Sequence, residues 1–223
     1  MRCTRSTRHP ALTTLAAGLL AVGAHAATFS VTNTEDAGDG SLRDAMTQAN
    51  ATAGADRITF DISGAGPHVI MPASELPVIT EAVHIDGGSQ AGIVLDGGLE
   101  PSPDRSGPTL SRDGFMGLVI QSSGNTINGL EIRGFQRGVS LGNRDGGPRA
   151  YSATGNAIRE NRIHSNERVG IDLYALGTEA SVSENFLENN DLHDNFAGVQ
   201  FQAMDGGTCS GNDTQNNQIH GNV

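Results

Sequence analysis

The sequence predicts an all-β solenoid, a parallel β-helix whose N-terminal end is closed by a short amphipathic helix. Three observations predict it. The second half of the chain repeats itself at spacings of 31, 29 and 27 residues. Each repeat holds three runs too short for helices and bounded by glycine and asparagine. The composition, with 30 glycines, 4% aromatic residues and no tryptophan, suits a narrow aliphatic interior with many turns.

Residues 1–26 read as an export leader. Arg2, Arg5 and Arg8 make a positive start, Ala11 to Gly23 is a short run of small and apolar residues, and Ala24-His25-Ala26 supplies a small-x-small cleavage site after Ala26. The apolar run is shorter than the roughly 20 residues that a spanning helix needs. No later segment is long and apolar enough, so no transmembrane segment is expected in the mature chain. Removing the leader also removes Cys3 and leaves Cys209 as the single cysteine, which excludes an internal disulfide and a cysteine-built metal site. All 14 basic residues are arginine, and 11 of them then face 25 acidic residues, a net charge of −14. That balance argues against nucleic acid as a partner.

Residues 27–114 form a cap and the first irregular coils. Thr28 to Thr32 alternates like a strand. Ser41 is placed as a helix N-cap with Asp44 three residues on, and Leu42, Ala45, Met46 and Ala49 fall on one helical face. Short strands are expected at 57–62, 68–71, 83–86 and 93–96. An open solenoid end exposes strand edges, and an amphipathic helix is the expected cover.

Residues 115–223 carry the regular coils. Aligning 124–141, 155–173, 185–201 and 212–223 gives G-N-x-I-x-x-N-x-I-x-x-N-x-x-G-I-x-L, with one extra residue in the second copy. The first run turns Ile127, Ile158 and Leu187 inward, and the second turns Ile132, Ile163, Leu192 and Ile219 inward. The third puts Val139 with Leu141, Ile171 with Leu173, and Val199 with Phe201 on one face. One unit cannot bury its apolar side, whereas units stacked ~4.8 Å apart can. Six or seven coils fit the mature length. Asparagine recurs at Asn161, Asn190 and Asn217, and at Asn166, Asn195 and Asn222. We read these as ladders at the corners, left-handed in backbone and bonded amide to amide between coils. The last repeat stops after Asn222 with its third run missing, so self-association or a further domain is expected at that open end.

GDGSLRDAMTQANATAGADRITFDI, with ELPVITEAVHIDGGSQAG and IVLDGG after it, resembles the CSLREA-type N-terminal region of bacterial right-handed parallel β-helix proteins, a pectin lyase-like group. Ser41, Leu42, Arg43 and Ala45 fit the helix motif, while Gly40 stands in place of the cysteine and Asp44 in place of the glutamate. Asp56 to Phe60, Leu76 to Ile79 and Ile85 to Gly87 also fit. The resemblance covers about 28–98. It implies a right-handed coil, export and a bacterial source, and says little about activity.

The function read from these residues is a secreted or cell-surface protein, structural or adhesive, that meets a polysaccharide or cell-surface glycan along its outer face. A polysaccharide lyase or glycoside hydrolase of the same fold is the alternative. Against catalysis, the chain has no Asp-Asp pair, no lysine, and no G-x-S-x-G, H-E-x-x-H or P-loop. No cofactor and no metal are implied, because the Asp-Gly-Gly turns at 86–88, 96–98, 145–147 and 205–207 do not follow a calcium-binding repeat. Two outward columns remain as candidates. One is Arg133, His164, His193 and His220; the other is Glu131, Arg162, Asp191 and Gln218. His164 and His193 are candidate saccharide-binding residues, solvation of the outer face being the plainer alternative. Asp172, Tyr174, Gln200 and Gln202 make a second candidate patch on the third run.

Overall fold

A computed structural model describes residues 25–99, 115–142 and 151–222. The expected leader, up to residue 24, and the turn at 145–147 lie outside them.

The chain winds into a parallel solenoid. Its first sheet stacks seven strands in chain order: Thr28–Val31, Asp56–Phe60, Val83–Asp86, Thr126–Asn128, Ala157–Arg159, Phe186–Glu188 and Asp213–Gln215. The second stacks six: His68–Ile70, Ile93–Asp96, Glu131–Arg133, Arg162–His164, Asp191–His193 and Gln218–His220. The third holds Leu118–Ile120, Arg137–Gly142, Val169–Leu176 and Ala197–Met204. Each of these strands pairs in parallel with a strand one coil away, as the repeat demands. The expected strands of the cap region are present, those at 83–86 and 93–96 with the expected bounds and the others with one or both ends shifted by one or two residues.

A fourth face was not foreseen. Tyr151–Thr154 pairs with Ala180–Ser183, and Ser181 bridges to Thr208. Ala153 and Val182 point into the core with no exposure.

Stacked aliphatics fill the interior. Ile127, Ile158, Ile132, Ile163, Leu192, Val139, Leu141, Ile171 and Leu173 are all fully buried. In the last coils the same positions open to solvent, with Phe201 47% and Ile219 55% exposed. At the other end the helix Leu42–Ala51 lies against the first two strands and buries Leu42, Ala45, Met46 and Ala49. Ser41 Oγ accepts from the Asp44 backbone N–H at 3.2 Å, so the expected cap is formed. Arg43 pins the helix to the loop beneath by donating to Glu75 O at 2.6 Å and Ser74 O at 2.9 Å. It also pairs with Asp36 at 2.7 Å, and that bond holds the Asp36 carboxyl below its usual pKa.

The ladders exist, with one correction. Asn125, Asn156, Asn185 and Asn212 form a further file beside the two expected ones. The left-handed residue is not the ladder asparagine but the residue before it: Glu160, Ser165, Glu184, Asn189, Asp194 and Asn216 all have φ near +55°. The reason is geometric. The ladder Oδ1 must point along the axis to meet the preceding coil, so the sharp reversal falls one residue earlier. Glycine fills that place at Gly129 and Gly134, sparing the roughly 1–2 kcal/mol that a Cβ costs in this conformation.

Candidate functional site

The second sheet places its outward side chains at fixed register. Glu131, Arg162, Asp191 and Gln218 lie directly above one another, and so do Arg133, His164, His193 and His220. Both columns therefore stand as read from the sequence, and Asp96 extends the second by one coil.

Parallel in-register pairing forces the imidazoles to stack. His164 and His193 have ring centroids 4.6 Å apart and planes within 5°; His193 and His220 are 5.1 Å apart and within 7°. His164 and His193 are largely buried by this stacking, and His220 is open to solvent. A ligand on this face meets ring edges, not ring faces.

The neighbouring column fixes each ring. Glu131 Oε1 lies 3.2 Å from His164 Nε2, and a carboxylate can only accept, so His164 carries its proton there. Its Nδ1 then accepts from Ser165 Oγ at 3.0 Å. One coil on, Arg162 Nε donates to His193 Nε2 at 3.3 Å, which leaves the His193 proton on Nδ1, facing Asp194 Oδ2 at 2.9 Å. Adjacent rings thus hold opposite tautomers. His220 Nε2 faces Asp191 Oδ1 at 3.1 Å. Arg162 also reaches Glu131 Oε2 at 3.3 Å, and Arg133 bonds Asp96 at 2.9 Å. Burial pushes the His164 pKa down, with Arg162 and His193 adding to it and the Glu131 bond opposing. A shallow depression opens beside Glu131 and Arg162, floored by Gly92, Ile93, Gly129 and Leu130 and edged by Glu160.

Chemically this is a strip of donors and acceptors in which Arg133 and Arg162 offset Asp96 and Glu131, while Asp191 and Asp194 face histidines. Ser165, His164 and Glu131 form a hydrogen-bonded chain that has the members of a nucleophilic relay. The same neighbour contact recurs at His193 and Asp194, so it belongs to the turn pattern of the coil and not to an activated hydroxyl. Among the described residues no group of histidine, cysteine and carboxylate side chains is arranged to hold a metal ion.

The second candidate patch is corrected. Asp172 is fully buried and Tyr174 is 4% exposed, so neither is open to a saccharide. Asp172 Oδ2 lies 2.9 Å from Arg137 Nε, an ion pair with both side chains out of water. Tyr174 O accepts from Tyr151 Oη at 2.6 Å, and Tyr174 Oη donates to Met204 Sδ at 3.2 Å. Gln200 and Gln202 keep partial exposure and bond each other at 3.2 Å.

Sequence reasoning missed a third cluster, on the first sheet. Arg57 pairs with Asp86, Asn128 donates to Asp86 at 3.1 Å, and His84 contacts Asn128. Burial acts to raise the Asp86 pKa, but the bonds from Arg57 and Asn128 leave it lowered overall. The register of His84 with Thr126 and of Asp86 with Asn128 carries the signal, but irregular coil lengths before residue 115 hide it.

Among the described residues no helix is long and apolar enough to cross a membrane. Comparison with curated protein sequences gives no match. Residues 71–223, well over half of the chain, match the family model described as the right-handed beta helix region. With parallel sheets, in-register coils and amide ladders already in place, the chain belongs to the right-handed β-helix family.

Proposed function

We propose that this is an exported bacterial β-helix protein of the CSLREA type that binds a polysaccharide without cleaving it, at or outside the cell surface. The leader pattern and the motif fit over 28–98 support export and type. The observation that carries binding is the histidine stack, with its 4.6 and 5.1 Å spacings. With Asp96 and Arg133 it sets a polar side chain on each of five successive coils along one line, His164 and His193 offering only their edges, which suits a linear chain of sugars. Because Glu131, Arg162, Arg133 and Asp96 neutralise one another, a neutral polysaccharide is the favoured class. The test is retention of the protein on a panel of immobilised neutral and acidic polysaccharides. His193→Ala and Arg162→Ala should weaken binding about tenfold, near 1.4 kcal/mol. Equal binding by wild type and both variants would reject the site.

A second reading has one observation in its favour. Glu131 and Asp191 flank Arg162 two coils apart, a backbone separation of about 9.6 Å from two strand spacings. That is near the upper limit for the carboxyl pair of an inverting glycoside hydrolase. Reducing-end release by the wild type, lost in Glu131→Gln and Asp191→Asn, would establish it over the binding role.

A further inference from the structure

We infer that Asp56 is a built-in receptor for the α-ammonium group created when the leader is cut after Ala26. The inference rests on the export reading above and on two features of the Asp56 carboxylate. First, Asp56 Oδ1 accepts the Ala27 backbone N–H at 2.7 Å, and Ala27 is the residue that cleavage turns into the new N-terminus. Second, Asp56 is 1% exposed and its other oxygen, Oδ2, has no hydrogen-bond partner. A buried carboxylate served by a single amide N–H is poorly compensated.

The position is set by the fold. Asp56 begins the second strand of the first sheet and points to the same side as Ile58 and Phe60, so its carboxylate sits at the N-terminal mouth of the core. Thr28 pairs with Arg57, and Arg57 N donates to Ala27 O at 2.8 Å, which fixes Ala27 against that mouth. Upstream, the His25–Ala26 backbone crosses Gly54 so closely that a Cβ there would lie 3.1 Å from His25 C and O.

The chemistry balances simply. A peptidase adds one water across the Ala26–Ala27 amide; Ala26 leaves with a carboxylate, and Ala27 keeps an ammonium. One N–H donor becomes three, with a full positive charge. One continues to serve Oδ1, a second can reach Oδ2, and the isolated buried charge becomes an ion pair. The uncut precursor lacks this pair and is the less stable form, which suits a chain that must cross a membrane before it folds.

The sequence offers a clean test. It contains no lysine, so the α-amine is the one aliphatic primary amine in the protein. The full 223-residue chain is expressed in a secreting bacterial host, the exported product is weighed intact, and its amine is acetylated with an N-hydroxysuccinimide ester. The product should begin at Ala27. Acetylation should lower its melting temperature by about 5 °C, the scale of a partly buried ion pair in a protein of this size. In Asp56→Asn, acetylation should change the melting temperature little and proceed several-fold faster. Should that variant not fold, the wild-type comparison of free and acetylated forms decides alone. An uncut product would overturn both this inference and the export reading. A product beginning at Ala27 whose melting temperature ignores acetylation would overturn the ion pair and leave export standing.

Discussion

Asn161 is joined twice to a single atom of Asn190: its backbone N–H and its side-chain Nδ2 both donate to Asn190 Oδ1, each at 3.1 Å. Asn190 in turn donates to Ile158 O at 2.8 Å and Asn217 Oδ1 at 2.9 Å. Asn190→Ala therefore leaves the buried Asn161 backbone N–H without its acceptor, a cost of about 1–3 kcal/mol, and removes one further bond each from Asn161 Nδ2 and Ile158 O, at about 1 kcal/mol apiece. A loss of roughly 3–5 kcal/mol is expected in urea unfolding. A loss under about 1 kcal/mol would show the ladder to be incidental.

Glycine at 138, 170 and 198 lets the third strand approach the core. A Cβ on Gly170 would lie 2.7 Å from Gly198 O and 2.9 Å from Leu192 Cδ2. Backbone cannot yield there as a side chain can. Gly170→Ala should cost about 1–3 kcal/mol, read as a lower denaturation midpoint. An unchanged midpoint would contradict the packing.

Asp172 and Arg137 test the burial of the third face. Asp172→Ala leaves a guanidinium in a dry site, and a loss of about 3–5 kcal/mol is expected from thermal or chemical unfolding. The double change Asp172→Leu with Arg137→Met should recover most of it. If the single change costs less than about 1 kcal/mol, the pair is open to water and the corrected patch returns as a candidate.

The histidine stack sets a pH dependence. His164 faces Glu131 through Nε2, Ser165 through Nδ1 and His193 across its ring, with Arg162 close by and Arg133 on the preceding coil. Burial first, then Arg162 and His193, keep its folded pKa below the unfolded value of about 6.5. A lowered histidine pKa means that the unfolded chain binds the proton more readily. This contribution is therefore complete above about pH 6.5 and is lost as the pH falls through the folded value. Stability measured from pH 8 to 5 should decline, and His164→Gln should flatten the decline. Identical profiles for the two proteins would remove His164 as its source.

Much of this was legible because a solenoid writes its geometry in spacing. The inward isoleucines, the histidine column and the helix cap at Ser41 all follow from period and alternation. The fourth face was harder, since Ala153, Val182 and Cys209 recur at 29 and 27 residues but are too small and varied to look like a core file. The left-handed corners were misplaced because no one residue type marks them, whereas asparagine does mark the position after. Asp172 and Tyr174 have outward parity, and parity says nothing about what lies on top. Arg137, the partner of Asp172, was hidden as well. Gly138 and Val139 both face the interior, so the alternation that would have put Arg137 beside Asp172 breaks at that point.

Pairing each strand only with its counterpart one coil away makes reach an adjustable quantity. Duplicating a 29-residue stretch such as that from Ile163 to Asp191 would insert a rung between existing neighbours. The rod would lengthen by about 4.8 Å with its lid and girth unaltered. Evolution can thus tune how far such a molecule extends by copying alone, with no fresh solution to the packing problem.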